Sequence, residues 1–350
     1  MKRFLGVYLN EPLLVLSILT LIGASTLILR SIAPSIFPSY YLYLFGALLF
    51  FIVFSHVDFD ILSLFSTHLY VLSIIFLLLP LVIGEVTRGA ARWIQVGSIT
   101  LQPTEIIRPF IILFFAQYLS KRKMNAREVV FASILFALPV GLIIVQPSLG
   151  VSVLTSIAVM GVVLSLEYNK RILLGAATVG ILALPLAWFL LAPYQKDRII
   201  GLVSPASDPS GVGYNSIQSV IAVGSGRISG RGLGEGVQTQ LSFLPERHSD
   251  FIFASISEEM GLVGAVVIVG IMLVVLYRLI VIVENSRSPA ARAFVAGSFL
   301  SLFAQVFIHI GMNIGILPIT GLPLPLVSVG GSSLVATMIL MGIILQAKRL

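Results

Sequence analysis

Apolar residues in this chain come in long unbroken runs, without the strict alternation of a half-buried strand. Ten such runs stand out: Pro12–Leu29, Tyr40–Ser55, Leu69–Gly84, Ile106–Leu119, Val129–Val145, Val151–Leu166, Ile172–Ala192, Gly261–Ile282, Phe294–Leu317 and Ser332–Leu345. Continuous runs of this kind predict membrane-spanning helices, whereas an outer-membrane barrel would alternate apolar and polar positions. Several are shorter than about 18 residues, so eight or nine true spans are also compatible with the pattern. Ten spans return the chain to the side on which it began. Two polar interruptions then fall on the opposite side. One is Glu85–Glu105; the other lies between Ala192 and Gly261 and forms an extracytoplasmic loop over about 193–257, between helices 7 and 8. Long loops in compact proteins usually carry function. The reading is one all-α, polytopic membrane domain over 1–350 with its site on the outer face.

Composition removes the soluble alternative. Of 350 residues, 57% are hydrophobic and 11% charged, with a mean hydropathy of +1.05, against roughly 25% charged in soluble domains. With no cysteine, disulfides, thiolate metal sites, iron–sulfur clusters and cysteine nucleophiles are excluded. The net charge of +7 changes meaning once its 22 cations are placed. With an inner N-terminus, Lys2, Arg3, Lys121, Arg122, Lys123, Arg127, Lys170, Arg171, Arg278, Arg287, Arg292, Lys348 and Arg349 lie in inner segments, as the positive-inside rule asks. Arg30, Arg88, Arg92, Arg108, Lys196, Arg198, Arg227, Arg231 and Arg247 lie outside or near an outer span end. The excess charge therefore reports topology, and no nucleic-acid partner is implied. Met1-Lys2-Arg3 before an apolar run looks like a signal peptide, but the run ends in Leu-Arg-Ser without a small-residue cleavage site, so a retained first helix is expected.

The candidate chemistry sits in the two outer segments. Leu244-Pro-Glu-Arg-His-Ser-Asp250-Phe-Ile-Phe253 places Asp250 at a polar–apolar boundary. A partly desolvated carboxylate is a good proton acceptor near neutrality; the competing reading makes Ser249 or Asp250 the cap of the next span. Glu258 and Glu259 follow, either as acids favoured by a helix dipole or as part of the site. Glu105 and Arg108 are spaced i, i+3 on one helix face and can pair. A pair at a span entrance favours a cavity role, since buried pairs add little stability. Trp93 reads as an interfacial anchor. Arg88, Arg92, Arg227, Arg231 and Arg247 give the outer face guanidinium groups suited to a pyrophosphate or anionic headgroup, unless they form surface pairs with Asp208, Glu235 and Glu246. The glycine-rich stretch Gly224–Gly236 lacks the Gly-Lys-Ser/Thr ending of a phosphate loop, so tight or re-entrant backbone is its simpler use. Four scattered histidines make no zinc site, and only His248 lies near the proposed centre.

These stretches carry a resemblance. Ala91-Arg-Trp-Ile with Gln102-Pro-Thr-Glu105, Gln146-Pro-Ser-Leu-Gly150, Gly213-Tyr-Asn-Ser-Ile-Gln-Ser219, Leu244–Phe253, Glu258-Glu-Met-Gly261, Met312-Asn-Ile-Gly315 and Pro323–Leu334 occur in the order found in the SEDS family (shape, elongation, division and sporulation). The chain resembles that family from about 90 to 334, and the ten-span layout agrees. The resemblance implies a peptidoglycan glycosyltransferase that polymerises lipid II on the outer face of the bacterial cytoplasmic membrane, with both termini cytoplasmic. It puts the catalytic aspartate at Asp250 and the cavity glutamate and cation at Glu105 and Arg108, with Gln102 and Ser332 in substrate-binding motifs. The wording at Gln238–Gln240, Leu244–His248 and Pro323–Val327 leans toward the RodA branch over the FtsW branch. Three positions depart from the family pattern: Ser148 stands where Asp is usual, Val329 where Tyr is usual, and Arg108 where Lys is frequent.

On this reading Asp250 deprotonates the acceptor hydroxyl and the anomeric carbon inverts, without the covalent two-carboxylate route of retaining glycosidases. Arg88, Arg92, Arg227, Arg231, Arg247 and His248, or a divalent cation (Mg or Mn), offset charge on the departing polyprenyl pyrophosphate. The partners implied are lipid II, the nascent glycan strand, membrane lipids and a class B penicillin-binding protein transpeptidase. A lipid II flippase would show two similar halves with matching broken helices, and no such repeat is visible. An inactive scaffold would leave Asp250 and the polar loop without a use.

Overall fold

The computed structural model describes residues 7–83, 85–87, 90–97, 99–123, 125–166, 168, 189, 196 and 212–348. Its helices are, in chain order, α1 (Pro12–Ile32), α2 (Phe37–His56), α3 (Phe59–Leu64), α4 (Ser66–Ile83), α5 (Pro103–Ile106), α6 (Arg108–Ser120), α7 (Ala126–Val145), α8 (Leu149–Ser165), α9 (Val212–Ser225), α10 (Val237–Gln240), α11 (Ile252–Glu284), α12 (Pro289–Asn313) and α13 (Gly331–Ala347). Six of the described helices are long and apolar enough to cross a membrane: α1, α2 with the short 3-10 turn before it, α4, α7, α11 and α12. α8 and α13 are shorter apolar helices, and α6 fills the fourth expected run. The expected span at 172–192, and Arg88, lie outside the described residues. The chain is a multi-pass, all-helical membrane protein.

The spans form because their sequences leave the backbone no other way to satisfy itself in hydrocarbon. Proline opens α1, α2 and α12 at positions whose N–H needs no helical partner. Asn125 caps α7 by accepting from the Glu128 N–H at 2.9 Å, and Asp58 caps α3 through the Asp60 N–H at 2.8 Å. Outward-facing leucines, valines and phenylalanines, such as Leu16, Phe45, Leu262 and Val266, stay exposed on the protein itself. That is the surface lipid covers.

The chain divides into two compact units. The first comprises Met1–Leu166, Val269–Gln305 and Pro325–Leu350; the second comprises Glu167–Ile268 and Val306–Leu324. At the centre of the first unit α13 is buried from Ser332 through Leu345 and packs along α2. α6 packs against α4 and α8. One end of this unit collects ionic side chains. Glu11, 1% exposed, receives Arg278 at 2.6 Å and Lys348 at 2.6 Å. Arg287 pairs with Asp58 and lies near Asp60, and a cavity of about 360 Å³ beside them is lined by Asp60, Ser63, Lys121 and Ser288. The turns after α2, α6 and α11, Glu11 just before α1 and Lys348 just after α13 therefore share one rim.

Replacing the buried carboxylate removes the acceptor of two cations at once. Glu11→Gln is expected to cost about 3 kcal/mol, read as a lower Tm of the purified protein. Glu128→Gln, at the exposed Arg122 pair, is expected to leave Tm nearly unchanged.

Candidate active site

The residues singled out above form two clusters, one in each unit, and each cluster stands by itself.

In the first unit the polar segment before α5 folds into a three-stranded antiparallel sheet: β1 (Glu85–Thr87), β2 (Ala90–Val96) and β3 (Ile99–Leu101), in the order β1-β2-β3. The hydropathy pattern marks this segment only as too polar for lipid. Its structural signal is Val96-Gly97-Ser98-Ile99, where Gly97 takes φ +62° as short hairpins require. β3 is tied to α2 by Tyr43, whose hydroxyl accepts from the Thr100 N–H at 2.7 Å and donates to the Thr100 carbonyl at 3.0 Å. The Tyr43 ring occupies the space that a Cβ on Gly331 would need. A glycine at the start of α13 thus admits the tyrosine, and the tyrosine holds the strand that ends beside Gln102.

Gln102 then joins three elements. Its backbone N–H donates to Ser332 Oγ at 2.7 Å, and its side chain donates to Ser148 Oγ at 3.4 Å. All three residues are buried. Ser148 keeps the acceptor that an aspartate would supply but removes its charge. Just beyond Gln102, Glu105 and Arg108 are only 5% and 3% exposed and interact electrostatically. The attraction between the two offsets part of the cost of taking each so far from water. The hydroxyls of Thr104, Ser333 and Thr337 are also buried, with no protein partner among the described residues, the condition under which ordered water enters a polar interior. Arg92 is half-buried on β2.

The second cluster is built on a broken helix. α11 starts at Ile252, well before the Gly261 start expected from hydropathy, and Gly261 interrupts it with φ +67° and ψ −166°. The early start is possible because Glu258 and Glu259, which interrupt the apolar run, are satisfied inside the fold. Glu258 Oε1 accepts from the Gln238 N–H at 2.9 Å and Oε2 from the Thr239 N–H at 3.0 Å, so its carboxylate caps α10. Gln240 donates to Glu259 Oε1 at 2.8 Å. Both acids are therefore framework residues of the loop. The glycine-rich stretch is the backbone splint across the break. Arg231 and Gly232 N–H groups donate to the carbonyls of Glu258 and Glu259, and Leu262 and Val263 N–H groups donate to the carbonyls of Arg227 and Ile228. A side chain at Gly230 or Gly261 would collide with the opposing backbone.

This arrangement sets out the outer cations and Asp250. Arg227 and Arg231 project from the splint, exposed; Arg231 Nε donates to Ser225 Oγ at 3.2 Å. Arg247 donates to Ser242 Oγ at 2.9 Å, and His248 Nε2 lies 3.9 Å from Glu246 Oε2. Residues 246–250 form a tight turn in which the Glu246 carbonyl accepts from the N–H groups of Ser249, Asp250 and Phe251 at 3.0, 3.1 and 3.2 Å. Glu246 itself sits at φ +50°, a strained conformation for a non-glycine residue. Phe251 and Ala254 anchor the turn in a core with Ala222, Leu244 and Ile319, while Asp250 stays half-exposed at its edge. The Ala254 N–H is capped from a distance by Asn313 Oδ1 at 3.0 Å, and Ser249 Oγ is engaged with Glu246. Asn313 was not among the residues singled out individually; an amide side chain at the end of an apolar span is the signal that would have marked it.

The description "Cell cycle protein", covering FtsW, RodA and SpoVE, matches residues 6–350. The chain belongs to the SEDS family. It is 39% identical over 285 residues to the peptidoglycan glycosyltransferase MrdB of Escherichia coli (strain K12), covering 80% of this chain and 77% of that one. It is 35% identical over 290 residues to an FtsW of Idiomarina loihiensis, covering 80% and 70%. Among solved structures it resembles a chain of a peptidoglycan synthase complex described as coordinating polymerization and crosslinking, with TM-score 0.80, 29% identity and coverage of 95% and 96%. The Thermus thermophilus RodA gives TM-score 0.71 at 27% identity, covering 95% and 94%. The SEDS fold is thus shared over most of the chain, and the 172–192 run is the one expected span that, Phe189 apart, lies outside the described residues. Among the described residues no three histidine, aspartate or glutamate side chains converge as metal ligands.

Glu258→Gln turns one acceptor of the α10 cap into a donor facing an N–H. It is expected to cost about 2 kcal/mol and to expose the 226–240 loop to limited proteolysis, with Tm and cleavage rate as the measurements.

Proposed function

We propose that this chain joins lipid II units into β-1,4 glycan strands, with Asp250 as the general base. It is a peptidoglycan glycosyltransferase of the RodA kind, the activity carried by its MrdB relative. The observation that carries the residue assignment is the turn at 246–250. It holds a half-exposed carboxylate at the edge of a packed core by hydrogen bonds to both sides of its peptide. A base must meet its substrate, and it must be held still while it does so.

In the reaction the Asp250 carboxylate takes the proton of the acceptor GlcNAc 4-hydroxyl. The freed oxygen forms its bond to the anomeric carbon of the donor while the bond from that carbon to the pyrophosphate oxygen breaks. The leaving group carries away the electron pair, so an α-linked donor yields a β-linked product. Arg227 and Arg231, exposed on the splint, supply guanidinium groups for the developing pyrophosphate charge. Arg247 and His248 flank the turn. We assign the first cluster, with Glu105, Arg108, Gln102, Ser148 and Ser332, to the sugar and pyrophosphate of bound lipid II, with Arg92 near it on β2. Polyprenyl tails run along the exposed apolar faces of the spans.

The cations of the short loops, among them Lys121, Arg278, Arg287 and Lys348, support an inner side for those loops and for both termini in the bacterial cytoplasmic membrane, and the ten-span count then assigns the Asp250 loop to the outer side. A class B penicillin-binding protein is the proposed partner, by analogy with the synthase complex. Wall elongation is the proposed role, in keeping with the RodA likeness.

Purified protein fed lipid II, with and without the partner, tests this. Asp250→Asn and Asp250→Ala are expected to lower polymer yield by roughly 10²–10⁴ with expression and Tm unchanged; wild-type turnover by either removes Asp250 from the mechanism. Headgroup translocation without polymer would support a flippase. Activity that survives EDTA assigns charge neutralisation to the arginines. Loss restored by Mg²⁺ or Mn²⁺ assigns it to a cation carried in on the pyrophosphate.

A further inference from the structure

Asn313, the last residue of α12, is fully buried, and its side chain and backbone make four hydrogen bonds. Oδ1 accepts from the Ala254 N–H at 3.0 Å. Nδ2 donates to the Asp250 carbonyl at 3.1 Å and to the His309 carbonyl at 2.8 Å, one hydrogen to each. Its backbone carbonyl accepts from Ser219 Oγ at 2.8 Å. The amide thus uses both donors and its acceptor, and all three partners are backbone groups. Only an amide has this complement at this size: a carboxylate lacks the donors, and a hydroxyl has only one.

The position of these bonds gives them a consequence beyond stability. The Asp250 N–H is already committed to the Glu246 carbonyl at 3.1 Å. Asn313 takes the carbonyl on the other side of the same residue, so both polar backbone groups of Asp250 are fixed. Asn313 also fixes the first turn of α11, four residues on, against the same side chain. The direction in which the Asp250 side chain leaves the backbone is therefore set by a residue far away in the chain. Phe251, directly after Asp250, is packed into the core with Ala222, Leu244, Ala254 and Ile319, which limits rotation about the turn from the other side. Ser219 in turn holds Asn313 from α9.

We propose that Asn313 is a positioning residue for the glycosyl-transfer reaction, aiming the Asp250 carboxylate at the acceptor hydroxyl by clamping the Asp250 peptide to the start of α11. The proposal rests on Asp250 being the base. It assigns Asn313 no contact with substrate, so the loss on removing it falls on turnover and not on binding.

The experiment uses the full-length protein in nanodiscs with purified lipid II, following initial rates across lipid II concentration together with Tm. Asn313→Ala leaves the Asp250 carbonyl without its donor; kcat is expected to fall on the order of 10²-fold while KM for lipid II holds. Asn313→Asp keeps the volume and the acceptor for Ala254 but sets a carboxyl oxygen against the Asp250 and His309 carbonyls; its kcat is expected to fall likewise, with Tm showing which of the two variants is folded. Hydrogen exchange at Asp250–Ile256 is expected to quicken in both. Wild-type kcat in folded Asn313→Asp, or a loss confined to KM, overturns the proposal. Asp250→Asn measured alongside separates the two readings. An active Asp250→Asn defeats the base assignment itself; an inactive one with active Asn313 variants defeats the clamp alone.

Discussion

A helix interrupted along its course leaves backbone groups without their helical partners, and at the Gly261 break of α11 these groups are satisfied by another segment of the protein. Much of the second unit answers that requirement. The segment 226–232 lies against the break and exchanges backbone hydrogen bonds with it in both directions. Glycines stand where the two backbones come too close for a side chain. Glu258, placed just before the break, turns its carboxylate to the start of α10 and so closes the loop on itself. Arg227 and Arg231 are carried outward on this splint as a consequence of how the break is repaired.

The two polar clusters reach rigidity by different routes. The first is held by short hydroxyl and amide contacts between segments remote in sequence, with Tyr43 wedged at Gly331 to set the spacing. The second is held through backbone: a carbonyl at Glu246 gathering three N–H groups, and an asparagine bridging the next turn. Both leave ionisable groups fixed before substrate arrives. Fixed dipoles and charges are the kind of environment that lowers a barrier without reorganising during the reaction.

How much of this was legible in the sequence follows from the range of each interaction. Nine of the ten expected runs coincide with described helices, because lipid reads local hydropathy and little else. The start of α11 was misplaced because Glu258 and Glu259 look like the edge of a span until the N–H groups that receive them are known. The small sheet leaves only the hairpin signal at Val96–Ile99 in the sequence, since short strands add little to a pattern dominated by long apolar runs. Neither the Tyr43–Gly331 contact nor the Asn313 bridge has any local sign: each joins segments separated by dozens to hundreds of residues. The family resemblance points to Asp250, Glu105 and Gln102 but carries no sign of the contacts that hold them.

Lys348 reaches both the Glu11 carboxylate and the Asn10 carbonyl, and Arg278 completes the same knot. The residues just before α1 and just after α13 are thereby tied directly to one another. A linker between Asn10 and Lys348 would span little distance, and new ends could be opened at the exposed residues Lys121–Lys123 without cutting a helix. The protein is in this sense a natural candidate for circular permutation, with its connectivity separable from its architecture.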